Sequence, residues 1–256
     1  MQRRNFMKMA GALAIIPAVK SIATPLSPSP IKKEIYEWRV YTLNNDGQAL
    51  DSFYQETLIP AYQRQHILVA AFKPYKPEEK EMRYCLFIYP DMATYHQVKR
   101  AIWQDPIFVK AAQPFYEATA PSPLYINFET YLCEAFDKIP VHRKADPSRS
   151  LFEIRLYWSP NEEANQRKVR MFNKDEIDIF DKVGIHSICY GEILAGPRMP
   201  ALLYLTWYKD EASRAEAWNK FGQHPDWLRI RDMEEYANTA TNNQSIFLTP
   251  MPYSQL

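Results

Sequence analysis

The chain has 256 residues, of which 46% are hydrophobic and 24% charged, and its formal net charge is +1. This is the composition of an ordinary globular protein, and the length suits one large domain or two modest ones. The near-neutral charge predicts no nucleic-acid-binding surface, and the chain contains neither of the glycine motifs that cradle phosphates.

Residues 1–23 have the pattern of a signal peptide. A basic start containing Arg3-Arg4 precedes an apolar run from Met9 to Val19, and the small-residue segment from Ser21 to Ala23 resembles a cleavage site. The apolar run is too short to span a bilayer, which takes about 20 apolar residues. We therefore expect export to a bacterial periplasm or another extracytoplasmic compartment, with no stable membrane insertion after cleavage.

The basic start resembles the twin-arginine export signal because Phe6 and Lys8 follow the arginine pair. It departs from that pattern at Gln2 and Met7, so an ordinary secretory signal is the alternative. Residues 24–33, rich in proline and serine, are interpreted as a spacer.

The rest of the chain contains an internal repeat. The segment from Tyr36 to Tyr41 and the segment from Phe152 to Tyr157 both read aromatic-Glu-apolar-Arg-apolar-Tyr. A second pair of segments, Tyr84 to Asp91 and Leu203 to Asp210, matches at nearly the same spacing. This predicts a first repeat at 34–136, a polar linker at 137–149, a second repeat at 150–250 and a short C-terminal tail at 251–256.

Each repeat is predicted to run strand, helix, strand, strand, helix, strand. In the second copy the pattern predicts strands at 151–158, 185–194, 201–208 and 245–248, with Ser159 capping the first helix and Asp210 the second. This order is that of the ferredoxin-like fold, whose usual strand order is 4-1-3-2. The predicted fold is α+β: two tandem ferredoxin-like (βαββαβ) repeats that form a dimeric α/β barrel within one chain.

A family resemblance is carried mainly by the second repeat, at 152–157, 168–173, 176–180, Gly191-Glu192, Gly196-Pro197, Met199-Pro200, Ala217-Trp218 and His224 to Trp227. On these residues the chain resembles the NIPSNAP family. The first repeat fits less closely, because Asp105-Pro106 replaces the His-Pro pair. The resemblance implies a dimeric α/β barrel and brings no catalytic motif with it. Related barrels include monooxygenases, isomerases and haem enzymes, an analogy of fold alone.

Candidate site residues follow from strand alternation, which places Glu, Arg and Tyr of each repeated segment on one face. We expect this polar ladder to line the barrel interior, since the opposite, oily face should meet the helices. Arginine could clamp a carboxylate or enolate, tyrosine could donate a hydrogen bond, and histidine or glutamate could move a proton. The candidate ligand-binding residues are Glu153, Arg155, Tyr157, His186, Tyr190, Glu192, Tyr204, Arg39 and Tyr41.

The ladders also have a purely structural interpretation, in which the buried Glu and Arg side chains pair and neutralise each other's charge. No metal site is predicted, because the five histidines lack metal-ligand spacing. No cofactor is predicted either, and haem held by His186 is the alternative that a single histidine leaves open.

The predicted function is binding of a small organic ligand inside the barrel, with or without acid–base or cofactorless oxidative chemistry. The alternative is a protein-interaction module whose barrel is filled. Whether the protein is an enzyme, which ligand it takes, and whether whole chains associate into a homo-oligomer are left open by the sequence.

Overall fold

The computed structural model describes residues 32–256. The predicted signal peptide and residues 24–31 of the spacer lie outside this range. None of the helices in the described range combines the length and apolar character needed to cross a bilayer.

Alternating apolar residues produce eight strands within the described residues, and these strands close into one antiparallel barrel. The strands are β1 (Ile35–Leu43), β2 (Leu68–Pro74), β3 (Met82–Tyr89), β4 (Tyr125–Ala135), β5 (Leu151–Trp158), β6 (His186–Ala195), β7 (Ala201–Tyr208) and β8 (Asn242–Pro250).

The order around the barrel is β1-β3-β2-β8-β5-β7-β6-β4. Within each repeat this is the predicted 4-1-3-2 order, as β4-β1-β3-β2 and β8-β5-β7-β6. The two four-stranded sheets join where β2 pairs with β8 and where β4 pairs with β6. The predicted fold class is therefore confirmed.

The helices cover the outer faces of the two sheets. They are α1 (Gln48–Phe53), α2 (Ile59–Arg64), α3 (Met92–Ala101), α4 (Pro106–Thr119), α5 (Glu162–Met171), α6 (Ile177–Val183), α7 (Glu211–Gln223) and α8 (Pro225–Arg231). A π turn links α1 to α2 at Tyr54–Leu58, and another links α5 to α6 at Phe172–Glu176.

Helix boundaries follow local chemistry. Asp210 caps α7 as predicted, because its carboxylate accepts from the backbone N–H of Ser213. The predicted cap at Ser159 is wrong: Asn161 caps α5 by accepting from the N–H of Ala164, and the Ser159 hydroxyl instead donates to the carbonyl of Thr239.

The expected assignment of strand faces is also wrong. The interior of the barrel is apolar and is built from the oily face of the strands, including Trp38, Phe152 and Ile154. The polar ladders lie on the opposite face, between each sheet and its helices. Alternation separates the two faces of a strand but does not say which one meets a helix.

The C-terminal segment completes the barrel wall beside β2. The Val69 N–H donates to Oε1 of Gln255 at 2.7 Å, and the Ala71 N–H donates to Oγ of Ser254 at 3.0 Å. Residues 251–256 thereby extend the short contact between β2 and β8, a seam at which only three residue pairs are in register.

Candidate functional site

The polar ladder of the first repeat is organised around the carboxylate of Glu37, which is 1% exposed. Its Oε1 accepts from Nε of Arg39 and from Nζ of Lys99, each at 2.9 Å, and its Oε2 accepts from the Tyr89 hydroxyl at 2.7 Å. Arg39 belongs to the same strand, whereas Lys99 reaches down from α3. The carboxylate is therefore held by groups from a strand, the neighbouring strand and a helix.

Burial alone would raise the pKa of Glu37, but Arg39 and Lys99 outweigh it and lower the pKa to about 2. Burial would lower the pKa of Arg39, but Glu37 and its tyrosine neighbours raise it well above the ordinary value. Glu37 and Arg39 are thus both ionised at neutral pH. Two cations face one carboxylate, so the cluster has an excess positive charge.

Only some of the N–H groups of the Arg39 guanidinium donate to other residues of the protein. Its Nε donates to Glu37, its Nη2 donates to the Tyr62 hydroxyl at 3.2 Å, and its flat face lies 4.1 Å from the centre of the Phe87 ring. Among the described residues Nη1 forms no well-aligned hydrogen bond, although the hydroxyl of Tyr41 also lies close to the guanidinium. Because Arg39 keeps 9% of its surface exposed, this nitrogen can donate to a bound molecule.

Beside Arg39 lies a cavity of about 270 Å³ between the first sheet and its helices, called here the helix-side cavity. Lys99 and Arg39 supply its charged lining, and nearly all the rest is apolar or aromatic. The lining residues are Arg39, Tyr41, Leu50, Phe53, Tyr54, Leu58, Tyr62, Lys99, Ile102, Trp103, Phe108, Phe115, Tyr116, Tyr125 and Phe128.

Tyrosine hydroxyls continue the polar wall of the helix-side cavity. The Tyr54 hydroxyl donates to that of Tyr41 at 2.9 Å, which leaves the Tyr41 proton free to point elsewhere. Burial raises the pKa of Tyr41 to about 12, and burial also raises that of Tyr54. Both side chains are therefore neutral donors at physiological pH and not bases.

Aromatic rings form the remaining walls and the opening. Phe53 and Phe115 stack with their ring centres 4.0 Å apart, and Phe128 packs on Tyr41 at 4.9 Å. Trp103 and Tyr116, which pack on each other, are 61% and 38% exposed and so border the opening to solvent. Flat walls of this kind favour a planar ligand.

In the second repeat, side chains occupy the position that corresponds to the helix-side cavity. Glu153 is fully buried and accepts from Nη1 of Arg155 at 2.9 Å and from Nε and Nη2 of Arg214, each at 2.8 Å. Burial would raise the pKa of Glu153, but Arg214 and Arg155 lower it. The other two nitrogens of Arg155 donate to the Tyr157 hydroxyl, so each nitrogen of this guanidinium already has an acceptor.

Two replacements account for the difference between the repeats. Counted from the aspartate that caps each helix, Trp218 stands where the first repeat has Lys99, and its ring centre lies 4.3 Å from the Arg155 guanidinium carbon. Glu176, the last residue of its π turn, takes the place of Leu58 and pairs with Lys168 at 3.0 Å. An indole and a buried ion pair thus occupy the volume that is open in the first repeat.

Two other predicted site residues join the ladder of the second repeat, because the Tyr204 hydroxyl donates to that of Tyr157 at 3.4 Å and Tyr190 stacks on Tyr204. Tyr204 and Tyr190 are buried under the helices with their rings 5.0 Å apart, and Ser187 hydrogen-bonds the Tyr190 hydroxyl at 2.7 Å. Glu192 accepts from the amides of Asn165 and Gln166. These contacts give Tyr204, Tyr190 and Glu192 structural roles, in packing and in local hydrogen bonding.

Simple alternation along β6 places His186 and Tyr190, four residues apart, on one face of the strand, and this expectation is wrong. A β-bulge between Ser187 and Cys189 shifts the register, so the two side chains leave β6 on opposite faces. The His186 ring is exposed and stacks on Trp207 at 4.3 Å, and Trp207 packs against the barrel interior. His186 does not line the helix-side cavity, and haem held by His186 stays an untested alternative.

Sequence reasoning placed Arg39 and Tyr41 at a site but missed the helical residues around them. Lys99 is the most consequential of these. Aligning the two copies through Asp91 and Asp210 would have shown a lysine where the second copy carries a tryptophan. Within the described residues no group of three His, Cys, Asp or Glu side chains is placed to hold a metal ion.

Comparison with known families finds that the NIPSNAP family model matches residues 152–255, which is nearly all of the second repeat. The match thus lies within the second repeat, where Arg155 is paired, and the residues that line the helix-side cavity all lie outside it. No curated protein sequence matches the chain.

Solved structures share the fold over most of the chain. A proposed monooxygenase from Fusobacterium nucleatum has 11% identity and a TM-score of 0.58, covering 86% of this chain and 93% of its own. A proposed monooxygenase from Lactobacillus acidophilus has 11% identity and a TM-score of 0.57, covering 86% and 94%. A NIPSNAP family protein from Agrobacterium tumefaciens, at 18% identity and a TM-score of 0.38, covers 41% of this chain and 97% of its own.

Proposed function

We propose that this protein binds a small, planar organic anion in the helix-side cavity of its first repeat. The observation that carries the proposal is the pairing of aromatic walls with excess positive charge. Arg39 and Lys99 both line a space of about 270 Å³, and their shared partner Glu37 neutralises only one of them. An anionic group on the ligand would neutralise the second positive charge.

The size of the helix-side cavity suits a ligand of one or two rings. A cavity of about 150 Å³ lined by apolar side chains is large enough for benzene, so 270 Å³ leaves space for a second ring or a polar substituent. The flat rings of Phe53, Phe115 and Phe128 would cover the ligand, and Arg39 would hold its anionic oxygen through a charge-assisted hydrogen bond.

The chemistry that fits the site is stabilisation of an anion, and not removal of a proton by a side chain. Among the described residues that line the helix-side cavity there is no histidine, aspartate or glutamate. Glu37 lies behind Arg39, and its pKa of about 2 makes it a poor base. A substrate would therefore enter already ionised, as a carboxylate or an acidic phenol.

Oxidation of such an anion by molecular oxygen without a cofactor is the reaction we propose for this chain, and two proteins of the same fold that are described as proposed monooxygenases suggest oxidation as the class of reaction. That extension is an analogy of fold, and the anion-stabilising charge beside aromatic walls is what supports it here. The signal-peptide pattern at residues 1–23 adds the proposal that the protein acts after export.

Isothermal titration calorimetry with 2-naphthoate tests the binding proposal, and neutral 2-naphthamide of nearly the same shape is the control ligand. We expect 2-naphthoate to bind at least about tenfold more tightly, since a hydrogen bond to a charged group is worth about 1.5–3 kcal/mol. Lys99→Met should reduce this preference because it removes one of the two cations.

Equal binding of the two ligands, or no change of preference in Lys99→Met, would contradict an anion site. If no aromatic anion binds at all, the result favours the alternative of a protein-interaction module. Oxygen uptake in the presence of 1-hydroxy-2-naphthoate, which enters as an anion, measures the oxidative part separately, so binding can hold while that part fails.

A further inference from the structure

The interior of the barrel contains a second cavity, called here the barrel cavity, which shares no residue with the helix-side cavity. It has a volume of about 180 Å³ and lies between the two sheets near one end of the barrel. Each sheet provides one wall. Because the two sheets come from the two copies of the repeat, a position on one wall has a counterpart on the other.

The two walls differ in the chemistry of their paired positions on β1, β3, β5 and β7. The internal repeat matches Trp38 of the first wall with Ile154 of the second, and Tyr84 with Leu203. Aromatic rings on the first wall therefore face aliphatic side chains on the second.

Strand register extends this comparison to β4 and β8. Tyr131 lies opposite β1 where Ile246 lies opposite β5, and one pair further along, Glu129 corresponds to Gln244. The first wall thus has three rings and a carboxylate, whereas the second has three aliphatic side chains and an amide. Glu129 and Gln244 are both exposed, so they mark the open end of the barrel cavity.

The charge at the barrel cavity is the reverse of that in the helix-side cavity. Among the described residues no lysine or arginine lines the barrel cavity or forms an ion pair with Glu129. Arg83, the cation next to Tyr84 in β3, lies on the other face of the strand and pairs with Asp51 and Glu81. The carboxylate of Glu129 is therefore the one charge on the wall of this cavity, and it disfavours anions.

Tyr84 adds a polar group close to that carboxylate. The residue is only 5% exposed, and its hydroxyl has no hydrogen-bond partner among the described residues. In contrast to the fully covered indole nitrogen of Trp38, this oxygen keeps some accessible surface. Burial raises the pKa of Tyr84, and Glu129 and Tyr131 beside it act in the same direction, so the hydroxyl stays neutral and offers an acceptor oxygen.

Size and charge together define the ligand. At about 180 Å³ the barrel cavity is slightly larger than the apolar cavity of about 150 Å³ that holds benzene. A cation is attracted both by a carboxylate and by aromatic rings. We propose that the barrel cavity is a second ligand site for a small organic ammonium ion. The ammonium group lies at the open end beside Glu129 and the Tyr84 hydroxyl, and the apolar group lies against the aliphatic wall.

Benzylammonium is the probe, and benzyl alcohol, which has nearly the same shape and no charge, is the control ligand. Met82 also lines the barrel cavity, so its methyl group reports binding in protein with ¹³C-labelled methionine methyl groups. Met233, which packs under the helices of the second repeat, is the reference. The two signals are assigned by Met82→Leu and Met233→Leu.

Titration with benzylammonium should move the Met82 signal saturably and leave the Met233 signal in place. From the Met82 signal we expect benzylammonium to bind about three- to thirtyfold more tightly than benzyl alcohol. Tyr84→Phe keeps the ring but removes the acceptor oxygen, so benzylammonium should bind about two- to tenfold more weakly to this variant.

The two residues at the open end provide matched variants, and both are exposed, so exchanging them leaves the interior packing intact. Glu129→Gln should abolish the preference for benzylammonium over benzyl alcohol, and Gln244→Glu should increase it. The double variant that combines the two changes keeps the net charge of the protein, and it should restore the preference from the opposite wall.

A Met82 signal that does not respond to benzylammonium overturns the proposal. So does equal binding of the two ligands by the unaltered protein, or a preference that persists in Glu129→Gln. The outcome is independent of the proposed anion site, since Lys99→Met should leave benzylammonium binding unchanged while it reduces the preference for 2-naphthoate.

Discussion

Replacing Arg39 by methionine separates the binding role of the first ladder from its structural role. Met keeps much of the side-chain volume but removes the guanidinium. A ligand carboxylate would lose one charge-assisted hydrogen bond, worth about 1.5–3 kcal/mol, which weakens the binding of 2-naphthoate by roughly 10- to 150-fold.

The same change should also lower the free energy of unfolding, because Glu37 loses one of three partners. Breaking a buried ion pair completely costs about 3–5 kcal/mol. Glu37 keeps Lys99 at 2.9 Å and Tyr89 at 2.7 Å, so we expect a cost of about 1–3 kcal/mol in Arg39→Met.

The second repeat supplies the control. Arg155 occupies the same ladder position, and its partner Glu153 keeps two hydrogen bonds from Arg214 after the substitution. Arg155→Met should therefore lower the free energy of unfolding by a similar amount, measured by urea denaturation, and leave the calorimetric affinity for 2-naphthoate unchanged. Equal losses of affinity in Arg39→Met and Arg155→Met would refute the assignment of the site to the first repeat.

Two further predictions concern stability. The pKa of Glu37 falls from an ordinary 4.5 to about 2 on folding, so its contribution of roughly 3 kcal/mol to the free energy of unfolding is present above about pH 4.5 and is lost as the pH falls towards 2. In Glu37→Gln the free energy of unfolding should therefore fall less steeply over this pH range. Parallel plots of the free energy of unfolding against pH for the variant and the wild type would count against the prediction. Gly184→Ala should destabilise by about 1–2 kcal/mol, since Gly184 ends α6 at a φ of +87°. Gly222→Ala should stabilise the protein by about 0.5–1 kcal/mol, because Gly222 lies in the helix α7 with no atom within 4 Å of the new Cβ. A higher melting temperature for Gly184→Ala than for Gly222→Ala would show that local backbone conformation does not determine the effect of alanine at these two positions.

Strand positions could be predicted from the sequence because alternation is a local property. The pattern predicted β5 at 151–158 and β7 at 201–208, and the structure has the same bounds. The strand order within each repeat also followed, since the repeated βαββαβ order leaves few compact arrangements.

The orientation of the ladders could not be predicted, because it depends on partners far away in the chain. The oily face of each strand was expected to meet the helices, which left the barrel interior for the ladders. Lys99 and Arg214 supply those partners from α3 and α7. Neither contact is visible in the alternation of the strands.

The location of the helix-side cavity could not be predicted from the sequence for a similar reason. Both repeats carry the same ladder, and the difference lies in single helical side chains, above all Lys99 against Trp218. Likewise, the bulge before Cys189 reversed the side of the strand on which His186 lies. Each of these is decided by packing between elements and not by the local pattern.

A crystal structure of the protein grown with 2-naphthoate tests the central claim most directly. We expect the ligand between the first sheet and its helices, with its carboxylate within hydrogen-bond distance of Nη1 of Arg39 and close to Nζ of Lys99. A naphthoate bound instead under the helices of the second repeat, or between the two sheets, would contradict the account.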